Sequence, residues 1–440
     1  MKALRLAAFA AMTAGLILFC APGASAAHGG LGPVQALREW YKLALALVRH
    51  TPTYSPPVAS RSLAYLGVTA FEVIASGDSD LRSLAGQLKG LQPLPPRQLG
   101  QPYDETLVLD AALASLTRNL FSNTGPTGQR ALAAEEAKMR AEISADLPAD
   151  VVARSEAYGR AIAEHIWTWS RDDGGATIEN MGFPQRYELK TGAAHWVPTS
   201  LILQQQTPLL PGWGKNRTFA MPDGAACPLG PAPEYSEDRN SEFYKQALEV
   251  YQTRQALTPE QRDIAKFWAD DAMLSVTPPG HWISIALQSL AKENADIART
   301  VDVLARVGVA VSDGFVGCWR SKFQYEQLRP VTYIRRFIDP KWEPLLNTPP
   351  FPELPSGHAT QTGAAATVMT QLFGEDFAFT DETDRSDGLP PRSFPSFWAA
   401  AREAAISRLY GGIHFRAASE LGLEQGRCIG AHVIALMTKK

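Results

Sequence analysis

The chain has 440 residues, with 45% apolar and 20% charged side chains, so it is long enough for one large or two modest domains and too apolar to be disordered. A formal charge of −3 gives no long-range attraction to nucleic acid or to an acidic membrane surface, which argues against a polyanion-binding protein.

The first residues follow the order of a secretory leader. Lys2 and Arg5 precede an apolar stretch from Leu6 to Phe19, and Ala24-Ser25-Ala26 gives a small-residue cleavage site before Ala27. The stretch falls short of the roughly 20 residues that span a bilayer, so cleavage after Ala26 is expected, and with it a periplasmic or extracellular location. Cys20 leaves with the leader. Cys227, Cys318 and Cys428 remain, enough for at most one internal disulfide, with the pairing left open. No Cys or His spacing suits structural zinc. No later apolar run is long enough to cross a membrane.

Apolar residues recur at three- and four-residue spacing over Val34 to His50, Ser60 to Ala75, Glu105 to Leu120, Arg130 to Leu147 and Val151 to Ser170. A Gly-, Pro- and Trp-rich stretch from Asp172 to Pro233 reads as a long ordered loop. Helical spacing resumes over Ser241 to Tyr251, Pro259 to Met273, Trp282 to Lys292 and Asn294 to Val316, with Thr277-Pro278-Pro279-Gly280 expected to separate two of these. Further helices are expected over Ala359 to Phe373, Ser396 to Tyr410 and Ala417 to Met437. Strand patterns are scarce. The expectation is an all-α fold of helical bundles, with a signal peptide over 1–26, an N-terminal helical region over 27–235 and a C-terminal helical region over 236–440.

Three short segments in the second region carry chemistry. Lys322 and Arg329 are seven residues apart, which on one helix places both cations on one face, with Pro330 ending or kinking that helix. Pro355-Ser356-Gly357-His358 opens a helix, where Ser356 suits an N-cap, Gly357 allows close backbone approach, and free amides favour an anion. In Ser407-Arg408-Leu409-Tyr410-Gly411-Gly412-Ile413-His414 the paired glycines end a helix and turn the chain, so Arg408 and His414 can face one cavity. Alone, each segment reads equally well as a basic stripe, a helix cap or a C-terminal turn.

In this order the three resemble the signature of the superfamily that contains type 2 phosphatidic acid phosphatases, bacterial acid phosphatases and vanadium-dependent haloperoxidases. The resemblance implies a pocket for a tetrahedral oxyanion, vanadate or phosphate, the two competing for one site. Lys322, Arg329 and Arg408 would neutralise it, and the Ser356 hydroxyl and Gly357 amide would donate to it. His414 would be the vanadium ligand, or the nucleophile toward phosphorus, and His358 the general acid/base.

Further segments resemble the haloperoxidases in particular. Phe267-Trp268-Ala269-Asp270-Asp271, followed by Thr277-Pro278-Pro279, is similar to a haloperoxidase segment whose acid pairs with the third-segment arginine, which implies an Asp271–Arg408 pair. Trp319 and Phe351 match aromatic positions of a chloroperoxidase-like halide pocket. His281 and His195 read as structural or as cavity wall. Many family members carry Asp four residues after the third-segment histidine; here that position is Ala418, so another group must orient His414, and Glu420 lies on the wrong helical face. The resemblance implies a secreted haloperoxidase that oxidises halide with hydrogen peroxide by a Lewis-acid mechanism, acting on a small organic acceptor, with a secreted acid phosphatase acting on a phosphate ester as the alternative.

Overall fold

Helices form where the apolar spacing predicts them. The computed structural model describes residues 30–178, 186–200, 202 and 205–440, so the leader expected over residues 1–26 lies outside the described residues. In chain order the helices are α1 (Pro33–His50), α2 (Pro56–Ala75), α3 (Glu105–Leu120), α4 (Pro126–Ser144), α5 (Ala149–Ser170), a single turn α6 (Gly175–Ile178), α7 (Glu242–Gln255), α8 (Pro259–Phe267), α9 (Thr277–Lys292), α10 (Ile297–Tyr325), α11 (Pro330–Phe337), α12 (Gly357–Phe373), α13 (Phe397–Tyr410) and α14 (Arg416–Ile434). Strands β1 (Phe379–Asp381) and β2 (Arg392–Phe394) pair antiparallel between α12 and α13. Among the described residues the fold is all-α apart from this hairpin.

Several boundaries differ from expectation: α8 stops at Phe267, not Met273, α2 starts at Pro56, not Ser60, and α11 is an additional helix, while two further differences have a plain physical reason. Thr277-Pro278-Pro279-Gly280 does not separate helices; it is the first turn of α9, where a proline's missing N–H costs nothing. Helix α10 continues past Val316 to Tyr325 because its second half is buried on nearly every side and tertiary packing overrides local preference.

Helix α2 is buried throughout from Pro57 to Ile74. Among the described residues it is the one helix long and apolar enough to cross a membrane, and 94% of its apolar window is covered by this fold. It packs along α10, and the two backbones touch. A Cβ on Gly67 would lie 2.8 Å from the Leu304 carbonyl oxygen, and one on Gly308 would lie 3.0 Å from that of Leu63. A main apolar core runs from Ala36 to Leu436 and so crosses residue 235, the boundary expected between the two helical regions.

A second close seam joins α12 to α14. A Cβ at Gly426 would stand 2.2 Å from the Thr360 carbonyl oxygen, and one at Gly430 would stand 2.9 Å from that of Ala364. The seam sets the start of α12 directly against α14, and the Ser356 amide donates to the Ala418 carbonyl at 2.9 Å.

Helix α10 also organises the long Gly/Pro/Trp-rich loop. Its buried Asp313 accepts from the amides of Phe219, Ala220 and Met221 at 2.7, 2.8 and 2.9 Å. The same loop is tied to α14 by a disulfide between Cys227 and Cys428, while Cys318 is a buried free thiol. The bridge closes a stretch with a sequence separation of 201, and cross-links over long loops typically add about 2–4 kcal/mol of stability.

Candidate functional site

The site forms where the end of α10, the strap before α12 and the turn between α13 and α14 meet. Lys322 lies in the last turn of α10, and the helix stops at Glu326, whose left-handed backbone (φ 49°) reverses the chain. Tyr187 donates to the Glu326 carboxylate, as does the Lys190 amide at 2.8 Å, and the Leu328 amide donates to the Ala194 carbonyl at 3.0 Å. His195 bridges Gln327 in this same clamp, in keeping with a structural role. Arg329 then appears as the N-cap of α11, with Pro330 as its first helical residue. Lys322 and Arg329 therefore converge through a turn and not along one helix face. Pro330 begins the next helix instead of breaking the first.

Both cations are fully buried. Lys322 Nζ donates to the carbonyls of Pro352, Glu353 and Pro355 at 2.8, 3.0 and 2.5 Å, and Arg329 Nε donates to that of Phe351 at 2.8 Å. They thereby hold the strap 351–355 in place. With its hydrogens directed at carbonyls, Lys322 contributes charge to the site more than contact. Burial, with Arg329 adding, pulls its pKa down to about 7. The strap ends in a cis Leu354–Pro355 peptide, after which Ser356 caps α12 and its hydroxyl oxygen accepts from the Ala359 amide at 3.3 Å.

On the third side, α13 ends at Tyr410, and Gly412 takes a left-handed conformation (φ 76°) that returns the chain past Arg408 to His414. Arg329 Nη1 lies 3.0 Å from His414 Nε2 and 2.9 Å from the Ile413 carbonyl. Arg408 is 3% exposed and donates to the Trp268 carbonyl. Burial, followed by Arg329, Lys322 and Arg408, holds the His414 pKa well below that of a free imidazole. A neutral ring with a lone pair is the form that ligates a metal or attacks phosphorus.

The group that orients His414, which the sequence did not reveal, is Glu353. It is fully buried; its Oε2 stands 2.9 Å from His414 Nδ1 and accepts from Arg329 Nη1 at 3.2 Å, and its Oε1 accepts the Phe415 amide at 2.9 Å. A proton on Nδ1 leaves Nε2 as the lone-pair atom. Glu353 thus does from the strap what an Asp at position 418 would do from α14. The available signal was a lone acid in the otherwise apolar run Phe351-Pro352-Glu353-Leu354-Pro355.

The acid expected from Asp271 is also misplaced by one residue. Asp271 is exposed and its charge, like that of Asp270, acts on Arg408 without a direct ion pair, whereas Asp270 is buried and has a left-handed backbone (φ 50°). Asp270 Oδ2 stands 3.7 Å from His358 Nε2, and its Oδ1 accepts from His281 Nδ1 at 2.9 Å. Burial and then Arg408 push the His358 pKa down to about 4, with Asp270 opposing. His358 keeps 16% of its side chain exposed, against 3% for His414, so it is the imidazole that exchanges protons with solvent.

Trp319 and Phe351 meet with ring centroids 4.9 Å apart and cover Lys322, which lies 5.0 Å from the Phe351 centroid. The Trp319 indole N–H donates to the Leu209 carbonyl at 3.1 Å.

The donor set fits an oxyanion. Three buried cations face each other, and Glu353 is the one carboxylate hydrogen-bonded to any of them among the described residues. Arg329 Nη2, Arg408 Nε and His358 Nε2 are buried polar atoms with no hydrogen-bond partner there. Unpartnered buried polar atoms occur elsewhere among the described residues too, but at this site two of them are guanidinium donors beside the imidazole, which suits an anionic acceptor.

The sequence comparisons agree with this arrangement. A family model described as the VCPO second helical-bundle domain matches residues 302–440, which contain all three segments. Vanadium chloroperoxidase from Curvularia inaequalis is 27% identical to this chain over 36% of this chain and 36% of the fungal protein, so the match spans about a third of that relative. The crystal structure of a bacterial vanadium-dependent iodoperoxidase is 36% identical, covers 92% of this chain and 97% of its own, and superposes with a TM-score of 0.84. This chain belongs to the vanadium-dependent haloperoxidase family. A bacterial vanadium-dependent chloroperoxidase, 17% identical with a TM-score of 0.67, covers 88% of this chain and 93% of its own and shares the haloperoxidase fold.

Proposed function

We propose that this haloperoxidase is an exported enzyme that oxidises iodide with hydrogen peroxide at a vanadate held by His414. The observation that carries the reading is the convergence of Lys322, Arg329 and Arg408 on the buried His414 ring, whose Nδ1 faces Glu353 at 2.9 Å. Arg329 and Arg408 would hold the vanadate oxygens, the Ser356 hydroxyl and Gly357 amide would complete the cradle, and Lys322 would supply the third charge. When bound, vanadate supplies Lewis-acid activation of peroxide without a change of oxidation state. His358 moves the protons that peroxide binding releases and product formation consumes, with Asp270 behind it. Trp319 and Phe351 keep bulk water from the halide side.

Iodide is favoured over chloride on two grounds. The relative that is 36% identical over 92% of this chain is an iodoperoxidase. The Trp319 N–H is also spent on Leu209, so the aromatic wall offers a polarisable face and no hydrogen bond, which suits a large soft anion better than a small hard one. The chloroperoxidase-like lining expected from Trp319 and Phe351 is read here as an iodide surface. The Cys227–Cys428 disulfide supports an oxidising compartment.

Protein purified without phosphate and loaded with orthovanadate is expected to form triiodide from iodide and peroxide, to oxidise chloride more slowly or not at all, and to be inhibited competitively by phosphate. A phosphatase would use the same residues with His414 Nε2 as nucleophile. Hydrolysis of a phosphate monoester without vanadate, together with no oxidation of any halide, would replace the peroxidase reading with that one.

A further inference from the structure

Behind His358 and Asp270 the line of buried groups continues to two residues that the chemistry above leaves unused, His281 and Asp381. Asp270 faces His358 with Oδ2 at 3.7 Å and accepts from His281 Nδ1 with Oδ1 at 2.9 Å. His281 Nε2 donates to Asp381 Oδ2 at 2.7 Å, and Asp381 Oδ1 is in turn fixed by the amide and hydroxyl of Thr383 at 3.0 and 2.7 Å. His281 and Asp381 have no exposed side-chain surface, and Asp270 has 1%. The Trp268 indole stacks on the His281 ring at 4.7 Å and 21°. The four groups come from α12, the turn after α8, α9 and β1, so no local repeat explains their alignment.

With both carboxylates ionised, an imidazole facing one of their oxygens at each nitrogen satisfies both contacts only when both nitrogens carry hydrogen. A neutral tautomer would aim a lone pair at one of the anions. His281 is therefore an imidazolium: burial opposes its charge, but Asp270 and Asp381 outweigh burial and hold its pKa well above the usual value. In return, and against burial, His281 holds the Asp270 carboxyl below the usual carboxylate range.

We infer that His281 and Asp381 are positioning residues that act through Asp270 on His358, fixing which carboxylate oxygen faces the proton-carrying imidazole and keeping that oxygen charged. The inference rests on the peroxidase reading only for the reaction in which His358 works. The groups that bear on His358 are Arg408 and His281, which disfavour its protonation, and Asp270, which favours it; Asp384, a buried acid whose own pKa is raised to about 6 by burial and then by Asp270, adds negative potential around His281. Replacing His281 with a neutral residue removes the cation that keeps Asp270 ionised, so one of the two aspartates takes up a proton. The anion nearest His358 weakens, and His358 then binds its proton only at lower pH. Loss of the more distant His281 charge acts the other way but over a greater separation. Asp381→Asn weakens the same chain from its far end and shifts His358 in the same direction.

The test uses the full chain with ¹⁵N-labelled histidine, both free of vanadate and loaded. In the wild type both His281 nitrogens should remain protonated from about pH 5 to about pH 8, where a free imidazole titrates. In His281→Gln and Asp381→Asn the His358 midpoint and the His358-dependent limb of the iodide-oxidation profile should move to lower pH. kcat should fall about tenfold, while KM for peroxide stays within about twofold. A neutral His281 in the wild type would overturn the inference, as would a folded Asp381→Asn with an unmoved His358 midpoint. Should the variants fail to fold, the wild-type His281 spectrum still decides. If the protein oxidised no halide, the His281 and His358 titrations would test the relay independently of the peroxidase reading.

Discussion

His414→Ala is expected to abolish peroxide-dependent halide oxidation, by on the order of a thousandfold or more, because it deletes the ligand on which the chemistry depends. Every other polar side chain at the cradle is a cation, a donor or a carboxylate engaged elsewhere. His414 and His358 are both uncharged imidazoles, and of the two it is His414 whose Nε2 lies among the cations, 3.0 Å from Arg329 Nη1, with Glu353 2.9 Å from its Nδ1. The variant should also lose vanadate binding, read directly from the ⁵¹V resonance of added vanadate. Its cost in stability should be modest, about 1–3 kcal/mol for the hydrogen bonds left unmade. A variant that retains activity and bound vanadate would mean that His414 is not the ligand.

Glu353→Gln and Glu353→Ala should separate orientation from charge. The two oxygens of Glu353 accept from different donors, the Phe415 amide and the Arg329 guanidinium, and the second of them also faces the His414 ring at 2.9 Å. Glutamine offers one oxygen and one amino group, so one of these donors must face another donor. We expect Glu353→Gln to cost about tenfold in vanadate affinity and Glu353→Ala about a hundredfold, the range typical of groups that support a metal ligand. Both variants add net positive charge to the cradle, which by itself would favour an anion. A net loss therefore measures how far orientation outweighs charge. Glu353→Ala should also melt earlier, by about 3–5 kcal/mol of lost stability, because it leaves the buried Arg329 without its acid. Equal or tighter vanadate binding in both variants would remove Glu353 from the role given to it.

The helices were legible in the sequence because their period of apolar residues is strong, and Lys322, Arg329, Ser356, Gly357, His358, Arg408 and His414 do converge. What misled was the assumption that neighbouring positions keep regular geometry. The spacing of Lys322 and Arg329 suggested one helix face, yet a left-handed Glu326 reverses the chain between them. Asp270 and Asp271 differ in burial, and Asp270 also adopts a left-handed backbone, which no pattern of residue types announces. Glu353 and Ala418 illustrate a different limit. The sequence showed that the usual acid was missing beside His414, but its replacement comes from the strap before α12, a relation created by tertiary packing. His281 was read as structural or as cavity wall because nothing local reveals that Asp381, in a short hairpin, reaches its far nitrogen.

The seam of touching backbones between α12 and α14 has a consequence for heat. The rim of the cradle at Ser356 is keyed to Ala418 by a main-chain hydrogen bond, and its dimensions follow from the contact of two helices rather than from the rotamers of long side chains. Warming that merely loosens side chains leaves such a gauge unchanged. The anion seat should therefore persist up to the temperature at which the helices part, so that catalytic failure and the collapse of the whole fold become one event.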